Sequence, residues 1–193
     1  HQGCFDLSYL SMMPNMTVMA PKNKWELSDM LKFAIRQKSP VAIRYPRGEA
    51  YDGLSRFRLP IEYGKWETIY DENEIALLAV GSMVKTAVEV RDRLRQMGYG
   101  CTLVNARFVK PLDQEAIRTL QAEHQLLVTM EENVKAGGFG EAVLEYLNEI
   151  KSQTRAMVIA LPDDYVEHGN VDLLKQECGI DADSVVKKIV IEY

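Results

Sequence analysis

The sequence predicts an α/β protein: a doubly wound, mainly parallel sheet in its larger part, preceded by a smaller, partial α/β segment. Three observations lead there. From Glu74 onward, short apolar runs alternate with amphipathic stretches of helical period, the pattern of strands joined by right-handed helical crossovers. Residues 1–46 read as helix-strand-helix-strand, too few elements to cover their own short parallel strands. Between the two, residues 48–73 carry turn-forming residues and no long period, which marks a boundary. The expected organisation is a partial segment at 1–47, a linker at 48–73 and a complete domain at 74–193.

The elements follow in order. Phe5 to Met13 has apolar residues at helical spacing and is stopped by Pro14. "MTVMAP" is a short apolar run ended by Pro21, a buried strand. "NKWELSDMLKFAIRQK" predicts a helix capped by Asn23, with Trp25, Met30, Leu31, Ala34 and Ile35 as its apolar stripe. "PVAIRYPRG" is a strand ending at Pro46. In the linker, a hairpin strand is expected near Lys65–Tyr70. "EIALLAVGS" is a strand with a Gly-Ser turn, and Ser82 is expected to cap the helix "MVKTAVEVRDRLRQMG", which Gly98 closes. "CTLVNARF" reads as one strand. "PLDQEAIRTLQAEH" reads as a helix started by Pro111, with His124 at its end. "QLLVTMEE" is a strand, "FGEAVLEYLNEI" a helix and "AMVIALPD" a strand. Two terminal helices follow, the second capped by Asp181 or Asp183.

Composition narrows the classes of function. No stretch reaches the 18 or so consecutive apolar residues that cross a bilayer, and residues 1–20 lack a basic start followed by an apolar core. No signal peptide, no membrane partner and a cytoplasmic location are therefore expected. Cys4, Cys101 and Cys178 are far apart and form no CxxC or Cys/His cluster, so reduced thiols are expected rather than a zinc site. The net charge of −5 is uneven: residues 1–48 hold seven Lys/Arg and three acids, or +4, leaving −9 for the rest. So acidic a body argues against nucleic acid as a partner.

Two stretches carry candidate chemistry. In "RYPRG", Pro46 fixes the turn and Arg47 stands at a strand's carboxyl end, where open α/β sheets bind ligands. Its guanidinium suits a phosphate or carboxylate, or equally an ordinary surface ion pair. In "EENVKAGGFGEAV", two acids end a strand and paired glycines open a helix. Free N–H groups there could hold an anion, but the spacing is not that of a dinucleotide motif, and close packing is the simpler reason for the glycines. Glu131 and Glu132 could cap a helix, pair across a contact or stand in solvent. His168 lies in a polar loop. No nucleophile–base–acid triad can be assembled.

Taken together and in order, "HQG", "FDLSYL", "PNMTVMAP", "RYPRG", "RFVKPLD", "EEN", "GGFG" and "LPDDYVEHG" carry a resemblance. Over nearly all 193 residues the chain resembles the carboxyl-terminal part of the 1-deoxy-D-xylulose-5-phosphate synthase family, thiamine-diphosphate enzymes related to transketolase. The resemblance implies the end of a pyrimidine-binding domain followed by a transketolase C-terminal domain. It implies condensation of pyruvate with glyceraldehyde 3-phosphate with loss of CO2, as a step of isoprenoid and thiamine biosynthesis, by a homodimer using thiamine diphosphate and Mg2+. It implies that His1 assists proton transfer, that Arg47 binds the aldehyde's phosphate, and that Tyr45 and Gly48 shape that loop. The family's magnesium motif, diphosphate contacts and activating glutamate have no match here. With its opening on His1 rather than Met, the chain is expected to be a divided piece, inactive alone and holding no cofactor or metal. Two alternatives stand beside this: a separate β-type subunit of a transketolase or 2-oxo-acid dehydrogenase-like enzyme, or a non-catalytic dimerisation module.

Overall fold

The computed structural model describes residues 3–193 and contains two sheets. The smaller is formed by β1 (Thr17–Met19), β2 (Val41–Ile43) and β6 (Phe108–Lys110), in the order β2-β1-β6, with α1 (Asp6–Ser11) and α2 (Lys24–Ala34) between and beside them. The larger holds β3 (Glu67–Tyr70), β4 (Glu74–Ala79), β5 (Cys101–Asn105), β7 (His124–Val134) and β8 (Arg155–Leu161), in the order β3-β5-β4-β7-β8. Its β5-β4-β7-β8 core is parallel and β3 joins antiparallel at one edge. The crossovers are α3 (Met83–Gln96), α4 (Gln114–Glu123) and α5 (Phe139–Glu149); α6 (Val171–Glu177) and α7 (Ala182–Glu192) end the chain. The expected mainly parallel α/β architecture is what forms.

Alternation along β4 divides the core. Ile75, Leu77 and Ala79 face a cluster with Val84, Val90 and Leu94 of α3 and Val185 and Ile189 of α7. Ala76, Leu78 and Val80 face Ile117 of α4, Val143 of α5 and, in the same cluster, Leu7, Val18, Met19 and Met30 from the first segment. Ile75 to Ala79 of β4 and the following Val80 are all buried, as they must be in a strand covered on both faces. The first segment thus shares a core with the larger sheet.

Several elements depart from the sequence expectation. The run 101–108 is not one strand: the chain leaves the larger sheet after Asn105 and re-forms as β6, antiparallel to β1. Helix α2 ends at Ala34, and its inward face is Glu26 and Met30, while Leu31 and Ile35 are exposed. Helix α4 begins three residues after Pro111, with Asp113 Oδ1 accepting from the Ala116 N–H at 3.1 Å. His124 opens β7; it is buried, with Nδ1 2.9 Å from the Leu120 carbonyl and Nε2 2.8 Å from Thr102 Oγ1. Asn23, Asn170 and Asp181 cap their helices as side chains of those types do.

A buried charge cluster fixes the two sheets together. Lys22 Nζ lies 3.0 Å from Glu26 Oε1 and 2.6 Å from Glu67 Oε2. Arg107 Nη2 lies 2.9 and 2.8 Å from the same two carboxylates, and Asn105 Nδ2 donates to Glu26 at 2.8 Å. Arg107 Nη1 donates to the carbonyls of Leu59 and Pro60. All five side chains are buried. Two cations against two anions leave no net charge in the low-dielectric interior, the condition under which buried ions are tolerated.

Candidate functional site

The site grows from the carboxyl end of β2. Arg44 N–H still donates to the Met19 carbonyl at 2.8 Å, so the strand's pairing reaches Arg44 and then stops. Tyr45, Pro46, Arg47 and Gly48 stand exposed beyond it. Gly48 has φ +105°, with nothing within 4 Å of where a Cβ would sit. Glycine is used there for its backbone and not for close packing. Among the described residues Arg47 has no ion-pair partner.

Arg44 faces the other way and is largely buried. Nη2 donates to two carbonyls, Gly3 at 3.2 Å and Glu132 at 3.0 Å. Nη1 is 3.6 Å from Glu132 Oε2 and Nε is 3.6 Å from Asp6 Oδ1. One side chain just past β2 thus ties Gly3 and Asp6 to the end of β7. That end carries more of the load. Cys4 O accepts from Val134 N–H at 2.8 Å. Asn133 Oδ1 accepts from Leu7 N–H at 3.1 Å, and its Nδ2 donates to Ser8 Oγ at 2.7 Å.

The two acids of "EEN" are not solvated. Glu132 accepts from Ser82 Oγ at 2.7 Å and from Lys175 Nζ at 2.5 Å. Burial pushes its carboxyl up, but the Lys175 charge and hydrogen bond, with Ser82 and Arg44, outweigh this and hold it below the usual range. Ser82 makes no capping bond to α3, contrary to expectation; its hydroxyl is committed to Glu132. Glu131 accepts from the N–H groups of Phe139 at 2.9 Å and Gly140 at 2.8 Å. The anion position at the start of α5 is therefore filled by the chain's own carboxylate. Burial pushes Glu131 up to about 7. A Cβ on Gly140 would lie 2.5 Å from Val158 Cγ1, and one on Gly138 2.7 Å from Glu131 Oε2, so close approach explains both glycines.

His1 lies outside the described residues. Tyr45, Arg47 and Gly48 are brought together on one rim, and His168 is exposed in its loop. Sequence reasoning missed Arg44, Asp6 and Asn133. The one available signal was position: Arg44 directly follows an apolar strand, where a charge needs partners.

Fold and rim define a class: an α/β chain in which an exposed, arginine-bearing loop at one sheet's carboxyl edge is bolted to a second, mainly parallel sheet. Residues 64–185 match the transketolase C-terminal domain and residues 1–52 the transketolase pyrimidine-binding domain. The chain belongs to the transketolase C-terminal domain family. It is 54% identical over 190 residues to the 1-deoxy-D-xylulose-5-phosphate synthase of Lachnoclostridium phytofermentans, covering 98% of this chain and 30% of that protein. The synthase of Clostridium tetani is 41% identical, with 98% and 31% covered. The chain thus spans about 30% of the length of these relatives. Among solved structures, a split-gene transketolase described as an inactive β4 tetramer superposes with a TM-score of 0.87 at 26% identity, over 95% of this chain and 59% of that one. The transketolase of Campylobacter jejuni, at 17% identity, shares the fold with a TM-score of 0.73 over 95% and 27% of the two chains.

Proposed function

We propose that these residues are the carboxyl-terminal portion of a 1-deoxy-D-xylulose-5-phosphate synthase, which joins pyruvate to glyceraldehyde 3-phosphate with loss of CO2. The carrying observation is Arg47, exposed and, among the described residues, without an ion-pair partner just past the strand end, within a chain 54% identical over 190 residues to such a synthase. In this reading Arg47 takes the phosphate of the aldehyde through paired N–H donors, and Tyr45 and Gly48 shape the turn that presents it. His1 assists proton transfer at the substrate oxygens.

Thiamine diphosphate supplies the electron sink of such a reaction when bound. The side chains here do not fit its metal and diphosphate: among the described residues no three His, Cys, Asp or Glu converge as a metal site would. The carboxylate of Glu131, which reaches from β7 to the start of α5, is already bonded to its own chain. These 193 residues alone are therefore proposed to be inactive and to bind neither the cofactor nor Mg2+. No helix among the described residues is long and apolar enough to cross a membrane, and the synthase is proposed to work in the cytoplasm. A homodimer is supported by the apolar side chains left exposed on the first segment, Met12 and Ile35 among them.

The test joins this chain to the amino-terminal part of a synthase and assays product from the two substrates. Product from the joined protein and none from the 193 residues is expected. Inactivity of the joined protein, or micromolar thiamine diphosphate binding by the chain alone, contradicts the reading.

A further inference from the structure

We propose that Arg44 is a positioning residue for the phosphate-binding loop, with the end of β7 as the fixed frame against which it aims Arg47. The proposal rests on the role of Arg47 given above. Arg44 and Arg47 are three residues apart on one strand end, and they have opposite fates. Arg47 is exposed, whereas Arg44 turns inward with its side chain 14% exposed. A single nitrogen of Arg44 uses both hydrogens, one on the Gly3 carbonyl and one on the Glu132 carbonyl. Its other nitrogens face the carboxylates of Asp6 and Glu132.

The frame is stiff. Glu132 is held by Ser82 and Lys175, and the residues on either side are held by the α5 amides and by α1. The planar fork fixes direction as well as distance. An ammonium has the charge but cannot hold two carbonyls and face two carboxylates in one plane. Without the fork, the exposed turn at 45–48 keeps, on its β2 side, the Met19–Arg44 backbone bond, and beyond it the bonds from Lys24 N–H to the Tyr51 carbonyl and from Asn23 Nδ2 to the Gly53 carbonyl.

The test uses the intact synthase carrying Arg44→Ala, Arg44→Lys or Glu132→Gln. Arg44→Ala is expected to raise KM for glyceraldehyde 3-phosphate roughly 10- to 100-fold, as a misplaced binding group does. KM for pyruvate should change by less than about twofold. Arg44→Lys should recover part of the loss, and Glu132→Gln should show the same selectivity more weakly. The residue-44 amide, bonded to the Met19 carbonyl at the base of the turn, should lose hydrogen-exchange protection in both Arg44 variants, read without substrate. An unchanged KM for the aldehyde, or an equal rise for both substrates with a falling thermal midpoint, overturns the proposal. If Arg44→Ala fails to fold, Glu132→Gln decides, and a Glu132→Gln protein with wild-type constants overturns it. Unmodified synthase that makes no product contradicts the function instead; unchanged protection of the residue-44 amide still overturns the positioning role.

Discussion

Lys22 Nζ sits 2.6 Å from Glu67 Oε2, a fully buried contact between the first segment and the edge strand of the larger sheet. With Glu26, Asn105 and Arg107 it closes a neutral cluster at the junction of the two sheets. Removing one charge strands another. Lys22→Met is therefore expected to destabilise the chain by about 3–5 kcal/mol, the usual penalty for an uncompensated buried ion. Chemical denaturation checks it, and a loss below about 1 kcal/mol would show that the cluster is not a junction.

Burial pushes the Glu67 carboxyl up, but the Lys22 hydrogen bond, the Arg107 charge and the Leu59 N–H outweigh it and hold the group below its ordinary 4.5. Its contribution is therefore complete above pH 4.5 and is lost as pH falls through the lower folded value. Glu67→Gln should be less stable than wild type at neutral pH, with a gap that narrows in acid. A gap that widens in acid contradicts the assignment.

Glu131 has the opposite sign. Its folded value, about 7, lies above the ordinary 4.5, so the folded protein holds a proton that the unfolded chain releases. The associated stability is complete below 4.5 and lost as pH rises through about 7. Glu131→Gln cannot titrate. Relative to wild type it should gain up to ~3 kcal/mol between pH 4 and pH 8. Parallel pH profiles for the two proteins would contradict this.

Gly140 lies in the first turn of α5, against β8. A methyl there meets Val158 Cγ1 at 2.5 Å and Thr129 Oγ1 at 2.7 Å. The overlap should exceed the helix propensity that alanine adds, leaving a net loss of about 1–3 kcal/mol. A higher thermal midpoint in Gly140→Ala would show that α5 is free to move off the sheet.

The parallel core was readable because β4, β7 and β8 are apolar runs at regular spacing, and the cap residues Asn23 and Asp181 stood where helix starts demand them. The strand expected to end at Pro46 ends earlier, at Ile43, with its pairing reaching Arg44, because the N–H groups beyond have no neighbouring strand to bond. What escaped was long-range. Nothing near Arg107 in sequence names Glu26 or Glu67, and the break of 101–108 into β5 and β6 depends on a partner strand some 90 residues away. A local cue existed for each: Lys22 follows an apolar run and Arg107 sits between Ala106 and Phe108. A charge inside such a run must be paired, but the rule does not say with what. Asn133, an ordinary polar residue after two acids, gave no sign that it would hold α1.

The most direct measurement compares two aldehydes in the intact synthase carrying Arg47→Ala. With glyceraldehyde 3-phosphate, kcat/KM should fall roughly 10- to 100-fold, the worth of a charge-assisted hydrogen-bond pair. With unphosphorylated glyceraldehyde it should stay within about twofold of wild type. Equal losses on both aldehydes, or none on the phosphorylated one, would contradict the assignment of Arg47 to the phosphate.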